Sequence, residues 1–349
     1  MKIRIKDIAR LAQVSPGTVD RVIHKRGEVS EKTRKKVEEI VQELNYQPDI
    51  LARTLASKRK FVFSVLMPVS ANENDFWNSP KAGIEKAMAE INPFGIEVIH
   101  YLFDLFDALS FQEKASKLLE KKPDAVLFAP VFPKESIVFI RKCEQLEIPV
   151  MLFNSNLEEA EGMMYIGQNA LQSGYLAAKL LHYGLKEAGD FLIINISGRK
   201  DNHNHIVRRE RGFRKYFADN PGVASKIISI DCIHKGRQDL FQQLDNALER
   251  NRVSGIFVPS SRAFRIAEYL VSKKPGMIRL VGYDLLPQNV EALKNGSIDF
   301  LISQKPEEQG YKGIMTLFNC LVLNREVEKF QYIPIDIITR ENFEYYEYK

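Results

Sequence analysis

The chain has 349 residues, 45% of them apolar and 27% charged, which is too long for a single core of roughly 250 to 300 residues and excludes disordered or fibrous classes. Its net charge of +5 is uneven: residues 1–60 hold 15 Lys/Arg against 8 Asp/Glu, and the remaining 289 hold 35 against 37. The scattered Cys143, Cys232 and Cys320 form no CxxC pair, so neither a disulfide framework nor a zinc site is expected.

Ile5, Ile8, Leu11 and Ala12 share one face of a first short helix. Ser15 followed by Pro16, a cap with proline at the first helical position, opens a second helix that carries Val19, Val22 and Ile23. About four residues turn between them, a common connection length. Ser30 caps a third helix, with Val37, Ile40, Val41 and Leu44 on one face and Lys32, Arg34, Lys35 and Lys36 at its start and outer side. Beyond Pro48, Leu51, Ala52 and Leu55 stand beside Arg53 and the run 57-SKRK-60. A basic module of this kind suits a polyphosphate partner, with a solvated basic face as the plainer alternative.

From Phe61 onward apolar runs alternate with helical patterns. Eleven strands are expected: 61–67, 96–102, 125–130, 149–153, 163–167, 190–197, 226–231, 255–259, 278–284, 299–303 and 332–338. That alternation predicts parallel sheets in two doubly wound lobes, with ligands met just beyond the strand C-termini. No apolar leader and no stretch of about 18 apolar residues is present, so a cytoplasmic protein without a membrane partner is expected.

The runs IKDIARLAQVSPGTVDRVIH, EVSEKTRKKVEEIVQELNYQP and ILARTLASKR resemble, in order and spacing, the headpiece and hinge of LacI/GalR-type transcriptional regulators. The resemblance implies a reading helix in the major groove and DNA contacts from Ser15, Pro16, Gly17, Thr18, Arg21 and His24. Pro16 and Gly17 offer no side-chain donor, so shape and apolar contact would read bases there; Arg21, able to grip guanine O6 and N7, is the strongest base reader. It also implies a hinge helix formed on operator, with Ala52 beside Leu55 and Leu55 wedged between base steps of the minor groove. Two residues depart from the family pattern. Asp20 replaces a small hydroxyl residue and is read as pairing with His24, and Gln13 replaces a turn glycine, which implies slight strain.

The rest of the chain, most clearly NDFWNSPKAGIEKA, EIPVMLFN, YIGQNALQSGYLAAKLL, RRERGF, LVGYD and ISQKPEEQG, resembles the periplasmic-binding-protein-like (type I) effector domain of that family. The implied fold class is a small all-α helix-turn-helix domain joined by a hinge to a two-lobed α/β domain with parallel sheets. Its implied parts are a headpiece, 1–48; a hinge, 49–60; one lobe, 61–160 with about 305–328; and another, 161–304 with about 329–349. Effector contacts are implied for Asn74, Phe76, Trp77, Arg209, Ser260, Asp284 and Gln304, an aromatic and polar set suited to a sugar. Ser260-Ser261 stands where Asn-Asp is common in sugar-binding relatives, and Leu285 replaces a frequent acid. Fewer fixed hydroxyl contacts leave open a sugar acid, a phosphorylated sugar or a less hydroxylated ligand, with Arg208 and Arg209 as countercharge; a surface role is the alternative for Arg208.

The partners implied are a pseudopalindromic double-stranded operator, a carbohydrate-like effector and a second copy of the chain, and the role implied is that of a repressor. No nucleotide, hydrolase or metal signature occurs, so no catalytic residue, cofactor or metal is expected. His203-x-His205 reads as a polar helix start, and the tail 343-FEYYEYK-349 has no assigned role. A solute-binding protein and a sugar-active enzyme on the same core are the alternatives. Leu55→Ala is expected to weaken specific operator binding while sparing the salt-driven non-specific binding, checked by titrations on operator and random duplex; equal loss of both would remove the wedge.

Overall fold

The computed structural model describes residues 4–23, 27, 29–44, 46, 60–70, 75–158, 162–183, 185, 189–197, 204–222, 224–233, 237–273 and 278–347. The chain divides into two compact units, Met1–Lys58 and Arg59–Lys349. In the first, α1 (Ile5–Ala12), α2 (Pro16–Ile23) and α3 (Glu31–Glu43) close around Ile8, Ala12, Val19, Val22 and Val37. The serine caps form as the sequence places them: Thr18 N–H donates to Ser15 Oγ at 3.1 Å and Thr33 N–H to Ser30 Oγ at 3.3 Å. Gln13 ends α1 in the left-handed region, at φ 58°, a conformation that disfavours side chains with a Cβ.

The second unit contains two six-stranded sheets. The first comprises β1 (Phe61–Pro68), β2 (Ile96–Phe103), β3 (Ala125–Phe128), β4 (Val150–Phe153), β5 (Met164–Gln168) and β11 (Phe330–Ile333), all parallel, in the order β11-β5-β4-β3-β1-β2. Helices α4 (Asn78–Ile91), α5 (Ala108–Glu120), α6 (Pro133–Gln145) and α12 (Pro306–Leu321) pack with it. The second comprises β6 (Gly189–Ser197), β7 (Ala224–Ile233), β8 (Val253–Phe257), β9 (Arg279–Tyr283), β10 (Phe300–Ser303) and β12 (Asp336–Ile338), in the order β12-β10-β9-β8-β6-β7, with β12 alone antiparallel. Its helices are α7 (Ala170–His182), α8 (Asn204–Asp219), α9 (Arg237–Arg250), α10 (Phe264–Lys273) and α11 (Pro287–Lys294), followed by the short α13 (Glu344–Glu347). β3 and β4 are buried at every residue, as expected of parallel strands covered on both faces.

The chain passes between the sheets after β5, after β10 and between β11 and β12. The lobe boundaries expected near residues 160 and 328 therefore fall later, because β5 pairs with β4 and β11 pairs with β5. The run 332–338, expected as one strand, is two. Pro334 has no N–H to give to a ladder, and the chain changes sheet there. Phe343 anchors the tail in the core of the second lobe, with Lys294 Nζ 4.7 Å from its ring centroid.

α7 and α8 meet backbone to backbone. A Cβ at Gly174 would run into the backbone of Arg209, and one at Gly212 into that of Leu171. Gly174→Ala is expected to cost about 1 to 3 kcal/mol and to lower the melting temperature by several degrees, because the obstructing atoms are main chain. Thermal unfolding of the variant checks this; an unchanged transition would mean that the helices separate freely.

Candidate functional site

In the first unit Val19 and Val22 face the core, which leaves Ser15, Pro16, Gly17 and Arg21 exposed and Thr18 half-buried. The Ser15 hydroxyl is engaged in its cap and also lies 2.9 Å from Thr18 Oγ1. Pro16, Gly17 and Arg21 therefore present the outward face of α2, the geometry a groove-reading helix requires. His24, Ala52 and Leu55 lie outside the described residues, as does the His24 side of the expected Asp20 pair.

In the second unit a cavity of about 460 Å³ opens between the two sheets. Most of its lining comes from the C-terminal ends of strands: Val69 after β1, Asp104 after β2, Asn154 and Ser155 after β4, Ser260 and Ser261 after β8, Asp284 after β9 and Gln304 after β10. Phe76 and Trp77 precede α4, and Arg209 projects from α8. Of the expected effector residues, Phe76, Trp77, Arg209, Ser260, Asp284 and Gln304 all line the cavity; Asn74 lies outside the described residues. Trp77 is only 6% exposed and packs edge-on against Phe76 and Phe153, so it is largely a core residue. Phe106, 37% exposed, offers more open ring surface.

At the closed end lies a buried polar network. Arg209, 2% exposed, donates through Nη1 to Pro259 O at 2.9 Å and through Nη2 to Gln304 Oε1 at 3.0 Å, and its guanidinium lies 3.6 Å from the centroid of the Tyr283 ring. Gln304 Nε2 donates to Asp284 Oδ2 at 2.9 Å, and Asn154 Nδ2 reaches Gln304 Oε1 at 3.4 Å. Tyr283 Oη lies 2.8 Å from Ser173 Oγ. Asp284 holds a left-handed backbone, φ 66°, of the kind found at functional loops. Burial pushes its carboxyl up to about 6, against the opposing pull of Arg209 and of the Gln304 bond. Arg209 Nε, Asp284 Oδ1, Ser155 Oγ and Ser260 Oγ are buried with no partner among the described residues, so a hydroxylated ligand finds both donors and acceptors.

The sequence reading missed Asn154, Ser155, Asp75, Asp104, Phe106, Arg262 and Arg265. Position just beyond a strand was a usable signal for Asn154 and Asp104; nothing local distinguishes the two arginines from an exposed helix face. His205 lines the cavity one residue into α8, the polar helix start expected for it. Among the described residues no group of three or more His, Cys, Asp and Glu could hold a metal ion, and no helix is long and apolar enough to cross a membrane.

A family model described as bacterial regulatory proteins, lacI family, matches residues 4–49, and one described as a periplasmic binding protein domain matches residues 63–324. The sucrose operon repressor of Streptococcus mutans is 27% identical over 288 residues, covering 81% of this chain and 83% of that protein. A Bacteroides fragilis protein assigned as a LacI transcriptional regulator superimposes with a TM-score of 0.76 at 32% identity, over 83% of this chain and 100% of that structure. An ABC transporter solute-binding protein from Burkholderia graminis, solved with D-arabinose, superimposes with a TM-score of 0.70 at 20% identity over 81% of this chain and 96% of its own, a likeness of fold alone.

The raised Asp284 carboxyl has a stability consequence. A carboxyl whose folded value lies above its unfolded one contributes stability that is complete below about pH 4 and is lost as pH rises through about 6. Asparagine tolerates the left-handed backbone and does not titrate. Between pH 4 and pH 7 the stability difference should therefore move by about 2 to 3 kcal/mol in favour of Asp284→Asn. Denaturant midpoints across that range check it, and parallel pH profiles would show that the carboxyl titrates normally.

Proposed function

Because the chain belongs to the lacI family of bacterial regulatory proteins, we propose that it is a cytoplasmic, homodimeric repressor whose operator affinity is set by a small carbohydrate-like effector held between its lobes. The observation that carries this reading is the placement of Gln304. It lies in the second passage between the lobes and bonds to Arg209 and Asp284 of one lobe and to Asn154 of the other. A ligand that engages Arg209 or Asp284 therefore meets groups bonded directly to the joint.

Dimerisation would present two copies of α2, with Pro16, Gly17, Thr18 and Arg21, to successive major grooves about 34 to 36 Å apart on a pseudopalindrome. Effector-dependent rotation of the lobes would change the separation of the two linkers, where Ala52 and Leu55 lie, and so the energy of the hinge on DNA. The name of the Streptococcus mutans relative supports a sugar as the effector class. The reading is one of binding, since the cavity groups are matched to hydroxyls.

Selection of bound sequences from a random duplex library tests the DNA side: the expected product is a pseudopalindrome, and no enrichment would defeat the proposal. On the effector side, Asp284→Ala is expected to abolish the response of operator occupancy to ligand while operator affinity stays within about twofold. An unaltered response, measured by fluorescence anisotropy of labelled operator, would take Asp284 out of the site.

A further inference from the structure

Two arginines with no part in the network around Arg209 stand at the N-terminus of α10. Arg262 and Arg265 both line the cavity, and the first turn of α10 contains no acidic residue. This opposes the field of the helix, whose N-terminus attracts anions and repels cations. Arg262 is half-buried, gives one N–H to Ile196 O at 2.8 Å and lies 5.7 Å from the centroid of the Phe106 ring. Burial first, and then the neighbouring charge of Arg265, hold its pKa below the usual arginine range, with Asp75 partly offsetting them. Arg265 is exposed, lies 6.0 Å from the centroid of the Phe264 ring and has no carboxylate in ion-pair contact among the described residues.

The cavity's two other carboxylates outside the network come from the opposite lobe, and each accepts a backbone N–H. Asp104 Oδ1 accepts the Phe106 N–H at 2.7 Å, and Asp75 Oδ1 accepts the Trp77 N–H at 3.2 Å. Asp75 partly offsets the burial of Arg262 and the neighbouring charge of Arg265. The Ser260 and Ser155 hydroxyls line the same cavity, from opposite lobes, and neither has a partner among the described residues. Arg209, expected from the sequence as the countercharge, is engaged by Pro259 and Gln304.

Resting on the reading of this cleft as an effector site, we infer that the effector is anionic: a sugar acid or sugar phosphate whose oxyanion is held by Arg262, Arg265 and the Ser260 hydroxyl, while its hydroxylated ring meets Arg209 and Asp284. Guanidinium groups take carboxylate and phosphate oxygens through paired N–H bonds, and the dipole of α10 adds to their pull. The Phe264 N–H is committed to Asn289 Oδ1 at 2.8 Å, so side chains rather than that part of the helix backbone make the contact.

Trp77, the sole tryptophan, lines the cavity and serves as the reporter. The full-length protein is titrated at constant ionic strength with inorganic phosphate and with acetate, then with glucose, glucose 6-phosphate and glucuronate, while Trp77 fluorescence and operator occupancy are followed. The expected result is a saturable response to phosphate or acetate, weakened about tenfold or more in an Arg262→Gln, Arg265→Gln double variant of unchanged circular dichroism. Arg265→Gln alone, at an exposed position, carries the test if the double variant misfolds. A response to phosphate and glucose 6-phosphate assigns a sugar phosphate; one to acetate and glucuronate assigns a sugar acid. Silence toward both anions, or a response that the variants leave intact, overturns the anionic class. Binding of glucose with the anions silent also overturns it but keeps the effector site, whereas operator occupancy indifferent to every bound ligand defeats the effector site instead.

Discussion

A guanidinium taken out of water, with its nearest network carboxylate, Asp284, reached only through Gln304, is the constraint around which the cleft is built. Burying such a charge unmatched costs several kcal/mol, so every group that satisfies Arg209 is held to its place. Those groups come from successive strand ends of one sheet: Pro259 O beyond β8, the Tyr283 ring on β9 and Gln304 Oε1 beyond β10. Satisfying one side chain of α8 thereby fixes three adjacent loops, and Asn289 repeats the device, donating to Ser261 O at 2.9 Å and Asp284 O at 3.0 Å. The close approach of α7 at Gly174 is what brings Arg209 to that position.

The joint between the lobes is tied by the same kind of bond. Gln168, at the first passage, donates through Nε2 to Ser303 O at 3.1 Å and Pro334 O at 3.3 Å, carbonyls of the second and third passages. Gln309 Nε2 donates to Gln304 O at 2.7 Å at the start of α12. Cleft and joint therefore share Gln304, so ligand binding and lobe orientation draw on one set of hydrogen bonds. In a regulator of the kind proposed, that sharing supplies the differential contacts that coupling between two sites requires.

Much of the architecture was legible in the sequence because its signals are local. The Ser15 and Ser30 caps, the apolar faces of the three short helices and the continuous runs of β3 and β4 each follow from a few neighbouring residues. Lobe membership was not, since β5 reads the same whichever sheet it joins, and the break at Pro334 was obscured by apolar residues on both sides. In the cavity, Arg209, Asp284 and Gln304 were reached only through the family resemblance; their bonds join residues up to 150 positions apart and leave no periodic trace. Arg262 and Arg265 were missed for the converse reason: a cation near the start of a helix is unremarkable in sequence and acquires meaning only from the cavity it faces.

The split of residues 330–338 across two sheets has a consequence for biosynthesis. β11 forms one edge of the first sheet and β12 one edge of the second, yet both follow every other strand of the two sheets in chain order. Neither lobe can complete its sheet while that segment is still in the ribosomal tunnel. The two sheets thus gain an edge from one and the same segment, and a chain cut just before it would lose an edge from both at once.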